Sequence, residues 1–110
     1  MSGRSPVRHA VRIDVNWFDL IVSGDKTAEV RKHDRDYQVG DALVMYHHPD
    51  GLMMPNDRER SAQAVEAIIS HILPASMFPD ALHDRYSVLS LVSVAKPYEI
   101  TAETDLRATR

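Results

Sequence analysis

The sequence predicts a small α+β domain in which one or two short helices are set among several strands. Three observations predict it. The chain has 110 residues, enough for one domain with a modest core. One segment, NWFDLIVSG, repeats its apolar residues at helical spacing and stops at a glycine. Other segments, above all YSVLSLVSV and ALVMYH, are rich in β-formers and too short for core helices.

In order along the chain, Val7 to Val15 reads as a first strand. The helix follows. Asn16 is its predicted N-cap, with Asp19 three positions on as a weak capping-box analogue. Trp17, Leu20 and Ile21 recur at helical spacing, as do Phe18 and Val22, and Gly24 stands where a left-handed residue ends a helix of about two turns. Thr27 to Lys32 then reads as a strand. Alternation places Ala28 and Val30 on a core face, with Thr27, Glu29 and Arg31 on the other. Residues 33–41 form a polar loop closing on Gly40-Asp41, where Asp41 reads as a turn residue. Ala42 to His47 is apolar on both faces and is predicted to be a central strand. A long loop with Pro49, Gly51 and Pro55 comes next. Residues 61–73 are ambiguous. Val65, Ile68, Ile69 and Ile72 make a helical stripe, and pattern alone predicts a helix there. Residues 74–84 read as a loop with room for one helical turn, Tyr86 to Val94 as the clearest strand, and Tyr98 to Ile100 as a short edge. The core is predicted to span about residues 7–97 of a single domain, with flexible tails over 1–6 and 101–110.

Composition narrows the function classes. A net charge of −3 gives no global footprint for sequence-blind binding of duplex nucleic acid, although a local basic face is compatible with it. With no cysteine, disulfides, thiolate zinc sites and cysteine nucleophiles are excluded. The opening MSGRSP lacks the apolar stretch of a secretory signal, and no apolar run approaches a membrane span, so a cytoplasmic protein is expected. The six histidines show no metal-ligand spacing: His47 and His48 are adjacent and point to opposite faces of a strand. No metal or cofactor is expected. Ser87 has no visible Ser/His/Asp arrangement around it.

The chemistry concentrates between Gly24 and Asp41, in GDKTAEVRKHDRDYQVGD, a dense run of charges of both signs between two structured segments. Lys26 can hold a phosphate or, when desolvated, act as a base. Glu29 can orient Lys26, accept a base N–H or relay a proton. The planar fork of Arg31 suits a phosphate or a carbonyl. Lys32 and Arg35 are candidate second-wall phosphate contacts, with Asp34 and Asp36 at the rim; the loop around Arg35 reads equally as a solvated turn held by local Asp-to-backbone bonds. Glu29 and Arg31 can also be read as a plain ion pair sealing the fold. Tyr46 and Tyr86 are the better stacking candidates, and core packing is expected for at least one of Trp17 and Phe18.

The motif Gly24-x-Lys26-x-x-Glu29-x-Arg31 resembles the signature of ASCH domains in the PUA-like superfamily. The resemblance is closer to one bacterial and phage subgroup, whose members carry a short helix ending in SGxK and then E-[IV]-RKxDRD[FY]xVGD. Here these read Ser23-Gly24-Asp25-Lys26 and Glu29 to Asp41. Ile69 to Leu73 is similar to that subgroup's VTHIL strand, while Phe78-Pro79 and Tyr86 to Leu91 resemble its closing segment. The likeness covers roughly residues 8–94. It implies a mixed β-barrel of about five or six strands with one or two short flanking helices, and makes residues 62–72 a strand. It implies an RNA- or modified-nucleoside-binding module with a cleft lined by Lys26, Glu29 and Arg31. The alternative it carries is a metal-independent hydrolase with Lys26 and Glu29 as catalytic pair, acting on RNA or on N-acylated cytidine. The sequence departs here from one amidase subgroup, which has Thr where Glu29 stands. A protein-interaction module of phage or bacterial origin is the second alternative.

Overall fold

The computed structural model describes residues 4–32, 34–47, 62–77, 80 and 85–100. Strand β1 spans Arg8–Arg12, helix α1 Val15–Ser23, β2 Ala28–Lys32, β3 Ala42–His47, β4 Gln63–Pro74, β5 Tyr86–Val92 and β6 Tyr98–Glu99, with a 3-10 turn at Ala75–Met77. They form a small α+β fold: one mixed six-stranded sheet in the order β1-β3-β4-β5-β2, with β6 pairing β4. The pairing of β1 with β3 is parallel and the others are antiparallel. The hydrogen-bonded order ends at β1 on one side and β2 on the other. The predicted loop over residues 48–60, Phe78-Pro79 and the 101–110 tail lie outside the described residues.

Alternation builds two cores. Leu43 and Met45 of β3 join Val11, Phe18, Ile21, Val65, Ile69 and Leu89 in the larger one. Val44 of the same strand joins Ala64 and Ile100 on the opposite face, with Tyr46 packed against them. The central position predicted for Ala42 to His47 is therefore correct, since β3 lies between β1 and β4 and is covered on both faces.

Helix α1 closes the larger face with Phe18 and Ile21. Its N-cap is Asp14, not Asn16: the Asp14 side chain accepts the Asn16 backbone N–H at 2.8 Å. The sequence places two capping types side by side, and the acidic one wins because its carboxylate accepts more strongly at the positive helix end. Gly24 ends the helix as predicted, at φ 88°. The chain then returns at once, and Lys26 N donates to the Leu20 carbonyl at 3.0 Å.

The helix expected from pattern over 61–73 is instead β4, as the family likeness implied. Its helical stripe has a local cause. The β4–β5 register shifts between Ile69 and His71, so Ile69 pairs Leu91 and Ile72 pairs Leu89. The bulge puts two residues three apart on one face, which imitates helical spacing.

A Cβ at Gly24 would meet nothing within 4 Å, so substitution there costs backbone strain alone. Gly24→Ala is expected to lower stability by about 1–2 kcal/mol, and Gly24→Asn by less, in chemical denaturation with an unchanged m-value.

Candidate functional site

The β2–β5 register decides which side chains of β2 turn inward. Glu29 pairs Leu89 and Arg31 pairs Ser87, and both partners are buried. Glu29 follows them in and is only 6% exposed, whereas Val30 is 55% exposed. This reverses the core face predicted for Ala28 and Val30. The polarity of β2 taken alone suggests the opposite, but Leu89 on the neighbouring strand fixes the face for both strands.

A buried carboxylate needs partners, and Glu29 has two cations. Lys26 Nζ lies 2.6 Å from Glu29 Oε1 and also donates to the Ala28 carbonyl. Arg31 Nη1 lies 3.3 Å from Glu29 Oε2 and 3.3 Å from the Arg12 carbonyl. Lys26, Glu29 and Arg31 are therefore brought together as the sequence predicts.

Arg35 approaches from the loop and donates from Nη1 to the Ala10 carbonyl at 3.1 Å, with Asp34 at 3.8 Å from its Nε. The two arginines serve one edge. Ala42 N donates to Val7 O and Ile13 N to Tyr46 O, so the odd-numbered backbone groups of β1 face β3. The Ala10 and Arg12 carbonyls face the other way, toward the free edge of the sheet. Tyr37, which sequence reasoning missed, is buried near both guanidinium groups. Burial pushes its hydroxyl pKa up, against the pull of Arg35 and Arg31.

The remaining candidates fall elsewhere. Lys32 and Tyr86 pair with each other and by alternation share the face of Val30, away from Glu29 and Arg31. Tyr46 packs in the smaller core. Of Trp17 and Phe18, at least one of which was expected in the core, Phe18 is buried and Trp17 is half exposed.

Asp41, predicted to be a turn residue, is the centre of a second buried cluster. Arg4 grips it with two nitrogens at 3.0 and 2.9 Å, His9 Nε2 lies at 2.7 Å, and the Val7 and Gln38 amides donate at 3.0 and 3.1 Å. Arg4 belongs to the segment predicted as a tail, and it also reaches the Asp36 carbonyl at 2.8 Å. The sequence signal for this cluster was faint, because its side-chain partners, Arg4 and His9, lie more than thirty positions from Asp41. Among the described residues, no group of three or more His, Cys, Asp or Glu side chains could hold a metal ion, and no helix is long and apolar enough to cross a membrane.

Fold and site together define a small α+β protein with a cationic pair set on a buried carboxylate at one end of its sheet. The chain belongs to the family described as Domain of unknown function (DUF3850), matched over residues 8–91, a span that contains α1, β2 and the whole Lys26–Arg35 region. It is also 34% identical over 68 residues to a protein of Escherichia phage P2 described as "Uncharacterized 12.9 kDa protein in GpA 3'region". That similarity covers 62% of this chain and 56% of the phage protein, so the matched segment spans about half the relative's length.

Burial opposes ionisation of Asp41, but Arg4, His9 and the two amides outweigh it and hold the carboxyl well below the usual carboxylate range. A folded-state pKa below the unfolded one adds stability that is complete above the unfolded value, near 4. It is lost as pH falls from there toward the folded value. Asp41→Asn is expected to cost about 3 kcal/mol at pH 7 and to flatten the loss of stability below about pH 5, as read by denaturation at a series of pH values.

Proposed function

We propose that this chain is a PUA-like ASCH module that binds single-stranded RNA or a modified nucleoside through Lys26, Glu29 and Arg31. The observation that carries the reading is the excess of donors over acceptors in that group. Two cations meet one carboxylate, and their side chains keep 23% and 27% of their surface exposed while Glu29 is covered. An ammonium has three N–H donors and a guanidinium five. Among the described residues, Lys26 Nζ meets two acceptors, Glu29 and the Ala28 carbonyl. The group is suited to a phosphate oxygen or a base carbonyl. A local positive site on a chain of net charge −3 suits recognition of a short single strand or a nucleoside better than wrapping of a duplex.

The barrel belongs to the same proposal. It is supported by the two arginines that reach from β2 and its following loop to the free-edge carbonyls of β1. The hydrolase alternative gives Lys26 the role of a base. Its Nζ sits between two acceptors as a proton donor to both, which favours holding over proton abstraction.

Lys26→Ala and Arg31→Ala are each expected to weaken binding of a mixed-sequence single-stranded oligoribonucleotide by about tenfold or more. Arg31→Ala, which leaves Lys26 on Glu29, should keep its melting temperature within about 5 °C of the parent, whereas Lys26→Ala removes the closer cation of a buried carboxylate and should lower it further while the chain stays folded at the temperature of the binding assay. Unchanged affinity in both variants removes the proposal. Product formed from the oligomer or from N-acylated cytidine under single-turnover conditions would replace it with the hydrolase.

A further inference from the structure

Trp17 is the one tryptophan of the chain, and half of its surface is exposed on a helix whose neighbours Phe18 and Ile21 are buried. Leaving an indole open forgoes apolar burial that a nine-residue helix can use. Its position gives the exposure a use. A period of 3.6 residues lines up Trp17, Leu20 and Gly24 along one side of α1. The chain returns on that side, where the Lys26 amide binds the Leu20 carbonyl just past the helix. At the far end of β2, Arg31 binds the carbonyl of Arg12, two residues before the N-cap Asp14. The segment from Lys26 to Arg31 is thus tied near both ends of α1 and runs back along it, carrying the Lys26–Glu29–Arg31 group beside the helix that bears the indole.

The other described aromatics do not offer this. Phe18 and Tyr37 are buried, Tyr46 packs in the smaller core, Tyr86 lies on the opposite face of β2 and β5, and Tyr98 sits on β6. An open aromatic face next to cations is the pairing that single-strand binding sites use: the base stacks and the backbone meets the charge.

We propose that Trp17 is the stacking platform for a nucleobase whose phosphate or carbonyl is held by Lys26 and Arg31. The inference rests on the nucleoside- or RNA-binding reading of that site and names its second half. It assigns the affinity to two unlike contacts, one sensitive to salt and one to the presence of a base.

The test uses the full chain, whose tryptophan emission comes from this residue alone. The probes are a mixed-sequence single-stranded hexaribonucleotide and an abasic oligomer of the same length, with affinity measured separately by calorimetry. The hexaribonucleotide is expected to quench the emission and the abasic oligomer to leave it unchanged. Trp17→Ala is expected to weaken hexaribonucleotide binding about tenfold, and Trp17→Phe to recover most of the loss. Calorimetric affinity unchanged in Trp17→Ala but weakened in Lys26→Ala overturns the stacking role and leaves the site reading standing. Equal quenching by the abasic oligomer also overturns it. Absence of any binding by the parent chain overturns both.

Discussion

A carboxylate can enter the margin of an apolar core only when cations accompany it, and the arrangement around Glu29 follows from that requirement. Leu89 is fully buried and directly opposite Glu29, so the pairing of β2 with β5 leaves no choice of face. An unpaired buried charge costs several kcal/mol, a large share of the stability of a domain this size. Lys26 arrives from the turn after the helix and Arg31 from the next inward position of the same strand. The polar group is therefore a consequence of register, and its geometry is held by the β2–β5 ladder.

The two buried carboxylates solve the same problem with different results. Asp41 is surrounded by Arg4, His9 and two amides at 2.7 to 3.1 Å, and its only cation with five donors is held bidentately. This ties the N-terminal segment, β1 and the 36–41 loop together. The adjoining backbone joins β4, with Gly40 N donating to Ile69 O and Ile69 N to Asp41 O. Such a ring of short bonds locks a fold. Around Glu29 the cations outnumber the carboxylate and remain partly open to solvent, which is the arrangement a ligand can complete.

What the sequence made legible follows a physical division. Features set by one residue or by nearest neighbours were readable: Gly24 as a helix stop, the doubly apolar β3, and the convergence of Lys26, Glu29 and Arg31. Features set by a partner strand were not. Val30 reads as core until Leu89 fixes the opposite face. The stripe Val65, Ile68, Ile69 and Ile72 reads as helix in part because a bulge between Ile69 and His71, visible only in the pairing with β5, resets the alternation. Asp41 closes a turn as read, its amide donating to the Gln38 carbonyl, but its buried role was hidden because Arg4 and His9 come from far away in the chain. Which of Trp17 and Phe18 would be buried was not readable, because helical spacing alone does not say how much of a stripe a small sheet covers.

Arg31 joins these levels. Its Nη1 is shared between Glu29 and the Arg12 carbonyl, both at 3.3 Å, longer than the contacts Arg4 makes to Asp41. Hydrogen bonds of that length lie at the weak end of the range, so the guanidinium loses little by turning to a stronger acceptor such as a phosphate. Lys26, at 2.6 Å from Glu29, is held more tightly. The pair thus divides its labour. Lys26 keeps the buried carboxylate compensated, and that compensation leaves Arg31 able to exchange its acceptors without stranding a charge in the core. Arg35, with its own hold on the Ala10 carbonyl, gives the β1 edge a second tie independent of Arg31.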